Sequence, residues 1–295
     1  MPVNNQRLDL IVIGAGPAGL SAAAEAAGGG LKTLILDKLG PGGALMNLGS
    51  LHGLPDGPSG PWLIGTMVDD VTAAGAEIGF GEVTGLSGGD PWTVETAEGE
   101  KYAARAVIVA TGLSKGRLGL AGEEAWEGRG LSHCAACDGP LFTGQPVVVV
   151  GGEGWAAHEA VELAGLADHV TMVNPGGTDA PHAANLSAMA GRVVALEGSD
   201  GLDSVVVEQA GVRQSIPANA VFVYIGQSPA AEFVADSLAR DAAGHIVVDA
   251  EGNTSKPLIF AVGDVAAGLP HSVEEARHSS ERAARAIVVR LRSTN

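Results

Sequence analysis

The chain of 295 residues has little positive charge, few aromatic residues and only two cysteines. Lys and Arg number 17 against 34 Asp and Glu, which gives a formal net charge of -17, and aromatic residues make up 4% of the sequence. A surface of this charge repels nucleic acid and anionic membranes, so we expect neither as a partner. Two cysteines cannot build a disulfide scaffold, and we expect any role of theirs to be chemical.

What the chain has instead is a large apolar fraction and many glycines. Hydrophobic residues account for 46% of it, and 44 residues are glycine. This composition excludes a disordered protein, and the core must consist mainly of small aliphatic side chains. No stretch has the roughly 18 uninterrupted apolar residues that a membrane span needs. The apolar segment 8–27 is interrupted by glycines and a proline, which favours a strand and turn over a signal peptide, so we expect a cytoplasmic protein.

The N-terminal segment has the pattern of a dinucleotide-binding unit. Residues 8–13 are typical of a buried strand, and a helix pattern over residues 20–27 and a second strand over residues 33–36 follow. The turn before the helix is Gly14-Ala15-Gly16-Pro17-Ala18-Gly19, and Asp37 ends the second strand. Such glycines permit a tight turn and the close approach of a pyrophosphate, while the acid is placed for a ribose diol. A glycine-rich turn without a ligand is the alternative.

The same strand, turn and helix pattern starts again at Pro146. Residues 147–150 predict a buried strand, residues 157–164 a helix and residues 170–173 another strand. The intervening turn is Gly151-Gly152-Glu153-Gly154-Trp155-Ala156. Two nucleotide-type units are therefore predicted. A third buried strand, over residues 258–262, leads into Gly263 and Asp264, and a helix pattern covers residues 273–291.

The two cysteines lie three residues apart, in Cys134-Ala135-Ala136-Cys137-Asp138-Gly139. Thiols at this spacing open and close a small disulfide ring, and Asp138 is placed to move the proton when a thiolate forms or is quenched. A zinc site and a pair of buried structural thiols are the alternatives. Zinc needs four ligands, and because only His133 is adjacent and no second cysteine pair exists, we expect no metal. His133 either helps to acidify Cys134 or is a surface residue.

Further segments complete a family pattern: Pro41-Gly42-Gly43, Ala110-Thr111-Gly112, Val221-Phe222-Val223-Tyr224-Ile225-Gly226 with Pro229, and Phe260-Ala261-Val262-Gly263-Asp264. In order and approximate spacing, over almost the whole chain, the sequence resembles the low-molecular-weight thioredoxin reductases. The resemblance implies an α/β fold with two Rossmann-like nucleotide-binding domains, the second inserted into the first. It implies an FAD-binding domain at residues 1–112 and 242–295. The inserted pyridine-nucleotide-type domain, residues 113–241, carries the cysteines.

The resemblance also implies which residues bind FAD. In that family the first glycine turn holds the pyrophosphate, the acid after the second strand binds the adenosine ribose, the late aspartate contacts the ribityl chain and the start of the last helix faces the flavin. The matching residues here are Gly14, Gly16, Gly19, Asp37, Asp264, Ser272 and Val273. The other implied cofactor positions are Pro17, Ala18, Lys38, Gly43, Asn47, Val83, Thr111, Gly112 and Gly263.

Roles for the cysteines follow by the same analogy. Cys137 would lie next to the flavin, Cys134 would attack the partner disulfide, and Asp138 would act as the acid/base. His271, just before the last helix, is a candidate base near the flavin or a residue without such a role. The family also implies a homodimer.

The second glycine turn departs from the family pattern. Its third position, glycine in a working site, is Glu153, whose carboxylate would lie against a pyrophosphate, and Trp155 adds bulk. The strand that follows ends in Asn174-Pro175-Gly176-Gly177, and no Lys or Arg occurs before Arg192. NADPH-dependent relatives have a basic cluster there for the 2′-phosphate, a task suited to arginine. We therefore expect an electron donor other than NADPH.

The expected function is that of an FAD-dependent dithiol/disulfide oxidoreductase that relays electrons between FAD and the Cys134-Cys137 disulfide. Its partner would be a small-molecule dithiol or disulfide, or a thioredoxin-like protein. One version is a dithiol oxidase that passes electrons to oxygen, and the other is a disulfide reductase with another donor such as ferredoxin. The alternatives are an ordinary NAD(P)H-dependent thioredoxin reductase with an atypical nucleotide site and a non-catalytic FAD-binding relic.

Overall fold

The computed structural model describes residues 8–47, 59–152, 154–177 and 181–293. The chain divides into two compact units, and the second is inserted into the first. The first unit comprises Met1–Ser114 and Ser228–Asn295, and the second comprises Lys115–Gln227. Both contain parallel sheets with helices, which confirms the predicted α/β fold class.

The first segment of the first unit builds most of a seven-stranded sheet. Its elements are β1 (Leu8–Ile13), α1 (Pro17–Gly28), β2 (Thr33–Asp37), α2 (Gly60–Ala74), β3 (Glu77–Phe80), β4 (Val83–Gly88), β5 (Trp92–Thr96), β6 (Lys101–Val109) and β7 (Leu113–Lys115). β1 lies between β2 and β6 and is parallel to both, and its apolar side chains are buried, as is usual for a parallel sheet that is covered on both faces. β5 and β4 extend the sheet in antiparallel fashion.

The second unit has its own sheets. Its elements are β8 (Leu131–Ser132), α3 (Ala135–Asp138), β9 (Pro146–Val150), α4 (Trp155–Ala164), β10 (His169–Asn174), β11 (Leu186–Ala190), β12 (Arg192–Glu197), β13 (Ser204–Gln209), β14 (Val212–Pro217) and β15 (Ala220–Val223). Five of the strands form a parallel sheet in the order β11-β10-β9-β15-β8, and β12, β13 and β14 form an antiparallel sheet. The second glycine turn follows β9 and the cysteines follow β8, so both come directly after strands of the same parallel sheet.

The chain returns to the first unit through β16 (Gln227–Pro229), β17 (Ile259–Ala261) and α5 (Val273–Ser293). β17 joins the seven-stranded sheet beside β6, in parallel. α5 packs against α1, and both helices contribute mostly alanine and aliphatic side chains to the core, as the shortage of aromatic residues predicts. Among the described residues, no helix is both long enough and apolar enough to cross a membrane.

The return to the first unit comes earlier than the sequence indicates. The predicted inserted domain ends at residue 241, but the structure assigns residues from Ser228 onward to the first unit. The physical reason is that Ala231, Val234 and Leu238 are buried in the core of the first unit. The predicted first helix likewise begins at Pro17 rather than at Leu20, because proline is well tolerated in the first helical turn.

Candidate active site

The first glycine turn contains two glycines that the protein's own packing requires and one that it does not. A Cβ at Gly14 would lie 2.5 Å from the Ala110 carbonyl oxygen, and a Cβ at Gly19 would overlap the Gly14 carbonyl oxygen. A Cβ at Gly16 would meet no protein atom within 4 Å. The open space at Gly16 fits a ligand that approaches the backbone closely.

The N-terminus of α1 adds backbone N–H donors to this space. Gly16 is the residue that precedes the helix, its backbone is extended, and it supplies no side-chain cap. Pro17, which has no N–H, and Ala18 form the start of the helix, where the backbone N–H groups after Pro17 point outward and the helix dipole favours an anion. This arrangement is suited to a pyrophosphate.

Asp37 holds the glycine turn from the end of β2. Its Oδ2 accepts the Ala15 N–H at 2.8 Å, and its Oδ1 accepts the amides of Leu39 and Gly40 at 2.9 and 3.0 Å. A carboxylate has about four acceptor positions, so a ribose hydroxyl has room to bind beside these amides. The neighbouring Lys38 forms an exposed ion pair with Glu82 at 3.5 Å.

A second glycine-rich segment folds over the turn. The Gly42 N–H donates to the Ala15 carbonyl oxygen at 2.8 Å, and a Cβ at Gly43 would lie 3.3 Å from the Gly16 Cα. Gly43 begins the 3₁₀ turn Gly43–Asn47, which brings the predicted cofactor positions Gly43 and Gly16 together. Asn47 ends that turn.

Three other predicted positions have backbone or packing contacts of their own. Val83 begins β4 and packs, half-buried, against the core of the first unit. Thr111 Oγ1 donates to the Ala230 carbonyl oxygen at 2.7 Å, and the Ala230 N–H donates to the Gly112 carbonyl oxygen at 3.0 Å. Ala230 thus holds the point at which the chain leaves the first unit.

Asp264 is a half-buried carboxylate of this unit. It lies in the 3₁₀ turn Gly263–Val265, and among the residues that the structure describes its side chain has no hydrogen-bond partner. Burial raises the pKa of the Asp264 carboxyl, and His271 and His245 oppose that shift. An unpartnered, half-buried carboxyl fits a ligand that carries hydroxyl groups.

The residues around Asp264 connect α1 with α5. A Cβ at Gly263 would lie 2.8 Å from the Ala18 Cβ, so the turn packs closely on α1. Ser272 caps α5, because its Oγ accepts the Glu275 N–H at 3.1 Å, and Val273 is the first helical residue. The open space at Gly16 and the turn that carries Asp264 therefore both lie beside the start of α1, as a dinucleotide site requires.

In the second unit the two cysteines form a disulfide with a Cα–Cα distance of 5.3 Å. Cys134 is the N-cap of α3, and its Sγ accepts the Cys137 N–H at 3.1 Å. Cys134 is buried and Cys137 is exposed. This exposure does not distinguish their roles, so the assignment of Cys134 to the partner disulfide stays a prediction.

Asp138 is positioned by a residue that the sequence reasoning missed. Ser132 Oγ donates to Asp138 Oδ2 at 2.6 Å and accepts the Cys134 N–H at 3.1 Å. Ser132 is buried and lies at the end of β8. Its position two residues before a cysteine is no recognisable signal in a single sequence.

His133 points away from this pair. One ring nitrogen is 3.2 Å from the Val223 carbonyl oxygen, and the other is 3.2 Å from Glu127 Oε1. These contacts favour a structural role over the acidification of Cys134. His271 lies in the first unit, where its ring centroid is 6.2 Å from that of His245.

At the second glycine turn, an asparagine takes the place that Asp37 has at the first. Glu153, the predicted obstruction, lies outside the described residues. Its neighbour Gly152 faces the side chain of Asn174, and a Cβ there would overlap the Asn174 amide. Asn174 ends β10, as Asp37 ends β2, and its Oδ1 accepts the Gly176 N–H at 3.0 Å. Trp155 begins α4 and is 41% exposed.

Comparisons with known proteins point in one direction. The family model for pyridine nucleotide-disulphide oxidoreductases matches residues 8–280. A thioredoxin reductase of Listeria monocytogenes is 34% identical over 278 residues, an alignment that covers 88% of this chain and 86% of that protein. The crystal structure of Lactococcus lactis thioredoxin reductase, in its FR conformation, superposes with a TM-score of 0.83 at 30% identity, covering 96% of this chain and 99% of that one.

Another similar structure, whose name includes ferredoxin, is a ferredoxin-flavin thioredoxin reductase from Clostridium acetobutylicum. It superposes with a TM-score of 0.55 at 25% identity, and the superposition covers 97% of this chain and 99% of that one.

Proposed function

Because the chain belongs to the pyridine nucleotide-disulphide oxidoreductase family, we propose that it relays electrons between bound FAD and the Cys134-Cys137 disulfide without NADPH. The predicted resemblance to thioredoxin reductases is confirmed, and the chain is a flavin-dependent disulfide oxidoreductase of that type. The proposal concerns its electron donor and its partner.

The first unit fits FAD. The open backbone at Gly16 and the start of α1 would take the pyrophosphate, Asp37 the adenosine ribose and Asp264 the ribityl hydroxyls. Ser272 and Val273 would face the flavin at the start of α5. When bound, FAD supplies a ring system that takes up and returns two electrons, a chemistry that no side chain offers.

The second unit carries out thiol–disulfide exchange. In the reducing direction, the Cys134 thiolate attacks a disulfide of the partner, so that one mixed disulfide forms and one partner thiolate leaves. The Cys137 thiolate then attacks Cys134 Sγ, which restores the internal disulfide and releases the second partner thiolate. Asp138, held by Ser132 at 2.6 Å, donates the proton that a departing thiolate takes up. Oxidation of a dithiol runs through the same steps in reverse.

The observation that carries the loss of NADPH is the contrast between the two glycine turns. The third position of the first turn is Gly16, which is open to a ligand, whereas the third position of the second turn is Glu153. No Lys or Arg occurs between Asn174 and Arg192, so the strand end lacks a cation for a 2′-phosphate. Glu153 adds a negative charge to the turn. NADPH would lack both a close approach and counter-charges.

Two donors remain for the proposed cycle. In the first version, a dithiol substrate would reduce the Cys134-Cys137 disulfide, and the electrons would pass through FAD to oxygen. The protein would then be a dithiol oxidase. Alternatively, a ferredoxin-like donor would reduce FAD and the dithiol would reduce a thioredoxin-like protein. The similarity to a ferredoxin-flavin enzyme supports the second version. The net charge of -17 disfavours docking of an acidic ferredoxin and supports a small dithiol. The expected homodimer would be checked by light scattering.

Anaerobic flavin bleaching tests the proposal. The holoenzyme is mixed in turn with NADPH, NADH, dithiothreitol, dithionite-reduced ferredoxin and dithionite alone, and the absorbance of the flavin is followed. We expect dithiothreitol or ferredoxin to bleach the flavin and both nicotinamide nucleotides to leave it oxidised. Rapid bleaching by micromolar NADPH would show an ordinary NADPH-dependent reductase. Bleaching by dithionite alone would show a non-catalytic relic. Peroxide formation in air after dithiol bleaching would distinguish the oxidase.

A further inference from the structure

Tyr224 connects the redox disulfide with a buried carboxyl. It directly follows β15, and its hydroxyl oxygen accepts the Ala135 N–H at 2.8 Å. The same hydroxyl donates to Glu159 Oε2 at 3.1 Å. Ala135 follows Cys134 and begins α3. A single side chain therefore joins the cysteine segment to α4.

Glu159 is an unusual residue for its position. It lies on the buried face of α4 with Ala156, Ala160 and Leu163, and only 6% of it is exposed. Burial raises the pKa of the Glu159 carboxyl, and its hydrogen bond with Tyr224 and the charge of His158 oppose that shift, while Glu162 adds to it. A buried carboxyl on an apolar helix face destabilises a fold unless it is well partnered, so stability alone does not account for it.

The two hydrogen bonds of Tyr224 depend on each other. A phenol hydroxyl has one proton, and once that proton is donated to Glu159, the oxygen lone pairs are left to face Ala135. Burial, Glu159 and Asp138 raise the pKa of Tyr224, with burial the largest cause, so the hydroxyl keeps its proton. Glu159 thus orients Tyr224, and Tyr224 fixes the Ala135 amide.

The Ala135 amide lies between the two cysteines in sequence, and its hydrogen bond is present in the disulfide form. Reduction removes the sulfur–sulfur bond, which leaves the four-residue helix that Cys134 caps with one covalent constraint fewer. A contact that holds Ala135 therefore stabilises the oxidised pair more than the reduced pair. We propose that Tyr224, oriented by Glu159, is a positioning residue that sets the thiol–disulfide equilibrium of Cys134 and Cys137. This rests on the proposed function only in that the disulfide must cycle.

The test is an equilibrium with glutathione. The oxygen-free holoenzyme is equilibrated with reduced and oxidised glutathione, and the dithiol fraction is trapped by alkylation and measured by mass. Two reduced glutathiones give one oxidised glutathione and the protein dithiol, so the ratio yields the equilibrium constant. Loss of one neutral hydrogen bond corresponds to roughly a three- to tenfold change. We expect Tyr224→Phe to shift the constant toward the dithiol by about this factor.

Matched variants separate positioning from general damage. Glu159→Gln keeps an acceptor for the tyrosine proton, and we expect it to stay within twofold of the wild type. Glu159→Leu should reproduce the shift of Tyr224→Phe, and the double variant should shift no further. Tyr102→Phe removes a tyrosine hydroxyl bonded to Glu100 at 2.7 Å in the first unit, and Asp168→Asn neutralises an exposed carboxylate of the second unit. Both should leave the constant unchanged.

The outcomes are distinct. A constant for Tyr224→Phe within twofold of the wild type overturns the proposal, as does a double variant whose shift is the sum of the single shifts. If Tyr224→Phe does not fold, Glu159→Leu against Glu159→Gln carries the same test. A wild-type disulfide that neither glutathione nor dithiothreitol reduces contradicts the proposed function and this proposal together. Normal exchange in the wild type with an unshifted Tyr224→Phe overturns this proposal alone.

Discussion

The Ser132 hydroxyl donates to Asp138 Oδ2 at 2.6 Å while it accepts the Cys134 N–H at 3.1 Å. One buried serine thus fixes the proposed acid/base and the first cysteine relative to each other. A hydrogen bond to a charged group is worth more than one between neutral groups, roughly 1.5 to 3 kcal/mol. The pair is therefore a good place to test whether Asp138 needs a fixed orientation.

We predict that Ser132→Ala lowers the turnover number with a dithiol substrate by about tenfold or more, because the Asp138 carboxyl loses its donor. The Michaelis constant should change little. Steady-state kinetics with the preferred dithiol measure both. Ser204→Ala is the matched control, since Ser204 Oγ also donates to a carboxylate, Glu197 Oε2, at 2.8 Å in the same unit. Equal turnover in the two variants would show that Ser132 has no part in proton transfer.

Two substitutions in the first glycine turn should have different effects, one on FAD binding and one on folding. Gly16→Ala should fold normally and lose FAD affinity by about tenfold or more, because its methyl group fills the space left for the pyrophosphate. Gly19→Ala should fail to fold, because its Cβ overlaps the Gly14 carbonyl oxygen. Circular dichroism and flavin content measure the two effects. Gly28→Ala, at an equally open site at the end of α1, should leave both unchanged.

The raised pKa of Asp264 predicts a pH dependence of stability. A carboxyl whose pKa rises on folding makes stability fall as pH rises from its ordinary value near 3.9 through the raised one. Asp264→Asn removes this loss. The melting temperature of the flavin-free variant should therefore exceed that of the wild type by an amount that grows above about pH 4 and then levels off. The same variant should bind FAD more weakly.

Asp241→Asn provides a control of opposite sign. The pKa of the Asp241 carboxyl is lowered, because hydrogen bonds from the His245 and Ala243 amides and the charge of His245 outweigh desolvation. This variant should lose stability relative to the wild type as pH rises. Because the pKa of Asp241 is lowered, its effect falls mainly below about pH 4, and thermal melts from about pH 2 to 8 are needed to measure both variants. Parallel curves for the two would contradict the interpretation of Asp264.

The cysteine roles predict a spectroscopic difference. Cys134→Ser should leave the Cys137 thiolate beside the flavin and produce a long-wavelength charge-transfer shoulder in the absorbance spectrum. Cys137→Ser should show none, and it serves as the matched control. A shoulder in Cys137→Ser alone would reverse the assignment.

Repair of the second glycine turn tests the reason for losing NADPH. Glu153→Gly combined with Asn174→Arg and Pro175→Arg should raise NADPH affinity, because it removes a carboxylate and adds counter-charges. Calorimetric titration measures the affinity. Val212→Arg with Gln214→Arg adds two charges at exposed positions of the same unit and should give no gain. Equal affinity in the repaired and control proteins would mean that the domain has changed more deeply.

The first glycine turn was predictable because it depends on neighbours in sequence. Tight turns, buried strands and the acid after β2 are local patterns, and the structure places Gly14, Gly16, Gly19 and Asp37 together. The contacts of Tyr224 were not predictable, since its hydroxyl joins residues 89 and 65 positions away. Two signals were nevertheless present: Tyr224 is one of two tyrosines in the chain, and Glu159 interrupts the apolar face of a helix. The boundary at Ser228 was missed because the burial of Ala231 and Val234 is a tertiary effect.

Ala230 holds together the two points at which the chain leaves and re-enters the first unit, through hydrogen bonds with Thr111 and Gly112. In polymer terms, the whole second unit is a loop that the first unit has already closed. The entropy of such closure varies only with the logarithm of loop length, about 0.6 kcal/mol for each doubling. The stability of the first unit therefore depends only weakly on the sequence and length of the inserted unit. Mutations in the inserted unit can therefore change what that unit binds without unfolding the first unit. This accounts for a chain whose first glycine turn is open to a ligand and whose second glycine turn departs from the family pattern.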